Sequence, residues 1–109
     1  MKVKNNLKLK MDNYEIKITK QAKENLQEIF LYIANDSSLE IADGFLSGLY
    51  SRIQDLSHAP FSGVKRDEYV EGFRCVYYKK YIIFYGVEDK VVSVYRVIHG
   101  ARDIKTIFE

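Results

Sequence analysis

The stretch Val91-Val92-Ser93-Val94-Tyr95-Arg96-Val97-Ile98-His99-Gly100-Ala101-Arg102-Asp103 decides how the rest of the chain is read. Its first nine residues have the composition and alternation of a strand. On a regular strand Val92, Val94, Arg96 and Ile98 share one face, and Val91, Ser93, Tyr95, Val97 and His99 share the other. The stretch then delivers Arg96, His99, Arg102 and Asp103 within eight residues, around a glycine that can break the strand. Arg96 sits in an apolar row. If that face meets helices, the guanidinium requires an acidic partner, and Glu28, Asp43 or Asp55 could supply one. His99 has the side chain of a general base, but at a strand end a backbone hydrogen bond is its commoner role. Asp103 is well placed for the N-terminus of a closing helical turn over Ala101 to Phe108.

Upstream, Phe73-Arg74-Cys75-Val76-Tyr77-Tyr78 reads as one strand and Tyr81-Ile82-Ile83-Phe84-Tyr85-Gly86-Val87 as another. The connections Lys79-Lys80 and Glu88-Asp89-Lys90 are short enough for hairpins, so these two strands and the opening stretch form an antiparallel meander. Arg74 lies on the first of them. A strand arginine can clamp a carboxylate or phosphate with both terminal nitrogens, or cross-pair with Glu71 or Glu88. Before the meander, Phe61 to Tyr69 is a polar loop, and its Lys65-Arg66-Asp67-Glu68 run reads as a solvated face.

Further out, the period changes to that of helices. Ala22, Leu26, Ile29, Phe30 and Ile33 recur at helical spacing after Thr19, which supplies an N-cap oxygen. That helix stops at Asn35-Asp36-Ser37. Ser37 with Glu40 reads as the capping box of a second helix, whose stripe is Ala42, Phe45, Leu46, Leu49, Ile53 and Leu56. So short a turn makes the two helices an antiparallel hairpin. Gly44 and Gly48 share a face and point to close approach by the other helix or by a partner, with packing inside the hairpin the favoured reading. Tyr14 to Ile18 alternates as a half-buried strand. The expected fold is therefore α+β: an N-terminal strand, an antiparallel helix hairpin, then a three-stranded antiparallel meander with the helices on one sheet face. Residues 1–11 read as a flexible tail or leader, and residues 12–109 as a single domain.

Composition narrows the function. The apolar fraction of 47% and charged fraction of 29% are those of a globular chain. No run approaches the roughly 20 apolar residues of a membrane helix, and cytoplasmic residence is the default. The net charge of +2 is misleading, because Lys2, Lys4, Lys8 and Lys10 lie in an acid-free leader. The remaining residues carry 13 basic against 15 acidic groups, so the footprint of a dedicated nucleic-acid binder is absent. A single cysteine, Cys75, excludes an internal disulfide and a multi-cysteine metal site. It reads as a buried, inert thiol. The tyrosines read mostly as sheet filling, with Tyr77, Tyr78, Tyr81, Tyr85 and Tyr95 able to offer stacking surface. No phosphate loop, nucleophile motif or paired-carboxylate signature is present. No catalytic residue, metal or cofactor is expected.

Four pieces of the chain resemble the RelE/ParE superfamily of small toxins from bacterial type II toxin–antitoxin systems. They are Tyr14 to Thr19 with Ala22, Leu26 and Ile29-Phe30-Leu31-Tyr32-Ile33; Leu56-Ser57-His58-Ala59-Pro60 with Gly63; Tyr81-Ile82-Ile83-Phe84-Tyr85; and Arg96-Val97-Ile98-His99-Gly100-Ala101-Arg102-Asp103-Ile104. The resemblance implies a compact toxin, of the kind tied to plasmid stabilisation, that is neutralised by a cognate antitoxin wrapping the helix hairpin and sheet. RelE-like members cleave mRNA on the ribosome without metal, using basic residues on the sheet and a C-terminal tyrosine. This sequence departs from them: Ile82 stands where the strand arginine would be. Thr106, Ile107 and Phe108 stand where the tyrosine would be. The ending His99-Gly100-Ala101-Arg102-Asp103 is similar instead to the ParE branch, whose members poison DNA gyrase by binding it. On this reading Arg74, Arg96, His99 and Arg102 are the candidates for target or antitoxin contact. The alternatives are a RelE-like ribonuclease using the same four residues, and a degenerate member that only binds antitoxin.

Overall fold

In a computed structural model, which describes residues 13–107 and side chains through Asp103, the chain alternates between one sheet and a helix pair laid across it. The leader expected over residues 1–11 lies outside the described residues, as does Phe108. Strand β1 spans Glu15–Ile18, helix α1 Lys20–Asp36 and helix α2 Leu39–Gln54, the last followed by a 3-10 turn at Asp55–Ser57. Then come β2 (Val64–Lys65), β3 (Arg74–Tyr78), β4 (Tyr81–Glu88), β5 (Val91–His99) and helix α3 (Gly100–Ile107).

Local chemistry explains the boundaries. Thr19 caps α1 by accepting from the Ala22 N–H at 3.2 Å. The second cap falls one residue later than the Ser37 capping box predicts. The backbone N–H of Ser37 closes α1 on the Ile33 carbonyl, which leaves Ser38 to accept from the Ile41 N–H at 3.1 Å and start α2. The β4–β5 hairpin turns at Asp89 and Lys90, both at positive φ, 52° and 62°. Such a pair matches the right-handed twist of the strands it joins.

The expected meander is the core of a larger object. Strands β3, β4 and β5 are antiparallel, but the sheet has five strands in the order β1-β5-β4-β3-β2, and β1 runs parallel to β5. Two residues of β2 are too short to carry a periodic signal. The β1–β5 pairing joins distant parts of the chain, with Ile16 opposite Val92. Neither could be read from local pattern.

Helices α1 and α2 cover one face of the sheet. Leu26, Leu49, Ile53, Ile83, Tyr85, Val92 and Val94 are all at most 2% exposed in that layer. A smaller cluster of Cys75, Ile82, Phe84 and Ile98 lies on the other face, partly roofed by Tyr69 and Phe73. The two glycines of α2 do not serve the hairpin. A side chain at Gly48 would collide with the Tyr78 hydroxyl, whereas the space beside Gly44 is open. Gly48 is thus a seat for a tyrosine of the sheet, not a helix–helix contact.

The regular alternation expected along β5 breaks once. The register slips between Phe84 and Tyr85, so Phe84 faces Arg96 while Tyr85 faces Val94. Tyr95 is the extra residue of a β-bulge. Val92 and Val94 before it and Val97 after it all point into the helix-covered core, and Ile98 turns to the other face. The predicted sharing of one face by Val92, Val94, Arg96 and Ile98 therefore fails, as does that of Val91, Ser93, Tyr95, Val97 and His99.

Candidate functional site

Strand β1 pairs with β5 only as far as Val94. Beyond that point the outer edge of β5 has lost its neighbouring strand, and α1 supplies side chains in place of one. Thr19 donates to the Tyr95 carbonyl at 3.4 Å. The Asn25 amide oxygen accepts from the Val97 N–H at 3.0 Å and from Arg96 Nε at 3.2 Å. Asn25 is a poor helix former in mid-helix, and that local misfit was the only trace of its role in the sequence. The expected carboxylate partner of Arg96 is corrected accordingly: an amide holds it, not Glu28, Asp43 or Asp55.

From this edge a groove of about 440 Å³ opens between α1, the end of β5 and the start of α3. It brings together three of the four residues singled out by sequence, Arg96, His99 and Arg102, with Asn25, Glu28, Tyr32, Tyr81 and Asp103. Arg102 lies with its guanidinium carbon 5.6 Å from the centre of the Tyr32 ring, and its Nε is 3.5 Å from the Asp103 carboxylate. Tyr81 is 6% exposed. Burial raises its pKa, and the neighbouring Arg102 opposes that shift both by its charge and by a hydrogen bond. His99 sits opposite Tyr81 in the sheet, its ring edge-on at 5.3 Å. The expected backbone hydrogen bond does not account for it. Its Nδ1 is shielded from water and finds no hydrogen-bond partner among the described residues, an arrangement that is uncommon for a buried polar atom. Asp103 falls in the first turn of α3, as its type favours.

Arg74 lies elsewhere. Its Nη1 donates to the carbonyls of Phe61 (3.1 Å) and Gly63 (2.9 Å), and its guanidinium covers the Phe61 ring. Neither Glu71 nor Glu88 is its partner. It ties the loop before β2 to the sheet, which Tyr85 does from beneath: its hydroxyl accepts from the Gly63 N–H at 2.9 Å. The run Lys65 to Glu68 is not simply solvated either. Arg66 donates to the Cys75 sulfur (3.3 Å), the Tyr77 hydroxyl (2.7 Å) and Glu68 (3.1 Å). The sulfur first and the hydroxyl second hold its guanidinium still more firmly in the charged form. Cys75 is buried as expected, at 1% exposure. Of the tyrosines, Tyr81 and Tyr85 are buried and offer no stacking surface, whereas Tyr77 and Tyr95 are exposed, Tyr95 lying flat against Phe73 at 5.0 Å.

The chain is thus a mixed five-stranded sheet with a helix hairpin on one face and a short C-terminal helix, a fold shared with solved structures of toxin–antitoxin systems. A chain from a structure of the chromosomal ParDE TA system from P. aeruginosa superposes with a TM-score of 0.72 at 18% identity, over 81% of this chain and 97% of that one. The RelBE2 toxin–antitoxin complex from Mycobacterium tuberculosis contains a similar chain, with a TM-score of 0.59 at 21% identity over 82% and 93%. No curated protein sequence matches. The profile of the ParE toxin of type II toxin–antitoxin systems matches residues 16–104. The chain belongs to the ParE toxin family, within the RelE/ParE superfamily. No described helix is long and apolar enough to cross a membrane.

Proposed function

We propose that this protein is the toxin of a type II toxin–antitoxin pair, that a cognate antitoxin neutralises it, and that it acts by binding and poisoning a protein target such as DNA gyrase. The match of the ParE profile across residues 16–104 carries the reading. Two features of the site support binding over RNA cleavage. Arg74, the strand residue best placed by sequence to clamp a phosphate, is engaged by two loop carbonyls. The groove around Arg96 and Arg102 also contains Glu28 and Asp103, so its fixed charges cancel and a polyanion gains little there. Arg96, His99 and Arg102 are the residues we assign to target contact.

The antitoxin has its own surface. Leu31, Leu39, Ile41 and Tyr50 are exposed on the helix pair, the kind of apolar face on which an amphipathic partner segment docks. Two assays test the proposal. Purified protein is added to gyrase with supercoiled DNA, and separately to translating ribosomes with a readout of mRNA 5′ ends. Trapped, cleaved DNA with intact mRNA is expected. Ribosome-dependent cleavage that disappears in Arg96→Gln would overturn the proposal in favour of a ribonuclease. Inactivity in both assays with antitoxin binding retained would reduce it to antitoxin binding alone. Deuterium exchange with and without antitoxin tests the partner surface, and unchanged protection across residues 20–57 and at the sheet edges rejects it.

A further inference from the structure

The two guanidiniums of the groove are held differently. Arg96 donates through its Nε to the Asn25 amide oxygen at 3.2 Å, whereas the half-exposed Arg102 has its Nε 3.5 Å from the Asp103 carboxylate and hydrogen-bonds Tyr81. Holding the Nε restrains the fork of Arg96 and uses only one of its five N–H donors. A fork fixed in advance loses little rotamer freedom when it meets a planar anion. Beside it lie the shielded His99 Nδ1, which finds no hydrogen-bond partner among the described residues, and the Tyr32 ring beneath Arg102. Ile29 and Val97, buried in the core, lie at the bottom of the groove.

From this arrangement we infer that the groove is a receptor for a single carboxylate presented by a peptide segment, with Arg96 as its principal ligand and Arg102 as the second. Charge decides the class of anion. Arg96 and Arg102 are offset by Glu28 and Asp103 across the same groove, so a single anionic group is favoured over a polyanion, whose successive charges would meet the two carboxylates. Geometry agrees, since a carboxylate matches the end-on fork of an arginine bidentately. Either an acidic side chain or a chain end supplies the same group. The inference deepens the assignment of Arg96, His99 and Arg102 to partner contact and rests on it for the partner being a protein.

Four probes test it against the full-length chain, followed by the side-chain N–H resonances of the two arginines and the imidazole of His99. Acetyl-Gly-Leu-Glu-Leu-amide carries only a side-chain carboxylate and acetyl-Gly-Leu-Gln-Leu with a free acid only a terminal one. Acetyl-Gly-Leu-Gln-Leu-amide carries neither, and a short oligouridylate carries phosphates. At least one acid-bearing peptide is expected to bind tenfold or more tightly than the neutral peptide and to shift the Arg96 and His99 signals. Which acid wins identifies the source of the carboxylate. Arg96→Gln and, independently, the more exposed Arg102→Gln are expected to remove that advantage, while Lys65→Gln at the far edge of the sheet keeps it. Equal binding of all three peptides, tighter binding of the oligouridylate, or an advantage that survives both arginine substitutions overturns the inference. The gyrase and ribosome assays are read separately: a failure here leaves the proposed toxin activity standing, whereas ribosome-dependent cleavage lost in Arg96→Gln removes the protein-partner premise on which this site rests.

Discussion

Strand β4 carries a buried tyrosine near each end of its apolar run, and each tyrosine has an arginine beside it. At one end Tyr85 lies near Arg74, and at the other Tyr81 lies near Arg102. In both cases burial pushes the phenol pKa up and the arginine's charge pulls it partly back. The arginines differ in what they have left to offer. Arg74 gives its Nη1 to two backbone carbonyls of its own chain. Arg102 leans on an aromatic ring beside an open groove. The same pair of residue types thus closes the fold at one end and borders an open groove, the proposed contact surface, at the other. An arginine's partners, not its presence, separate structure from function here.

The comparison can be broken most decisively at Gly63. A side chain there would lie 2.7 Å from the Cys75 carbonyl and against the Tyr85 hydroxyl, and a backbone carbonyl cannot step aside. Gly63→Ala is expected to cost about 3 kcal/mol, measured as a lowered urea midpoint; an unchanged midpoint would mean that the closed end is not closed. Arg74→Gln comes next. Loss of its two carbonyl contacts is expected to cost about 2 kcal/mol, with antitoxin affinity and gyrase poisoning retained at temperatures where the variant is folded. Loss of poisoning without loss of stability would return Arg74 to the contact surface.

The two phenols make a third test. Because both folded-state pKa values are raised, the folded chain holds these protons more tightly than the unfolded one. Their contribution is fully present below an ordinary tyrosine pKa of about 10 and is lost as pH rises above it. Urea midpoints at pH 9 and pH 11 are expected to fall apart more in the parent than in Tyr85→Phe or Tyr81→Phe. A variant with the parent's full alkaline loss identifies a tyrosine that is not protected. The smallest effect on stability belongs to Arg102→Gln. Its half-exposed guanidinium contributes under about 0.5 kcal/mol to folding, so the midpoint is expected to hold while gyrase poisoning falls at least tenfold. A variant that stays as toxic as the parent would move the contact surface away from this groove.

Much of this architecture was legible in the residues, because its elements are local and strongly periodic. The Thr19 cap, the two amphipathic helices and the three central strands follow from spacing and turn chemistry alone. Arg96, His99 and Arg102 were legible as a cluster because one strand and one turn deliver them. Their separation from Arg74 was not legible. It depends on β4 standing between β3 and β5, and on Phe61 and Gly63 folding back to offer carbonyls, which is a matter of tertiary placement. Asn25 was overlooked because a lone asparagine on a polar helix face has no pattern of its own. The Gly48 seat for Tyr78 was misread for a related reason: small residues four apart mark close approach, but not by what.

The bulge at Tyr95 gives this strand something like a reading frame. Before it, even-numbered residues face the helices; after it, odd-numbered residues do. The extra residue therefore sets which side of the sheet His99 emerges on, and with it the side from which α3 departs carrying Arg102. A chain lacking one residue at this point would keep the same apolar content in β5 yet transpose its last four residues between the two faces. His99 would then part from Tyr32 and Arg102, and the groove would lose its floor without a single groove residue having been changed. Insertions and deletions of one residue between Val94 and Arg96 are the lesions to which the proposed contact surface is most exposed.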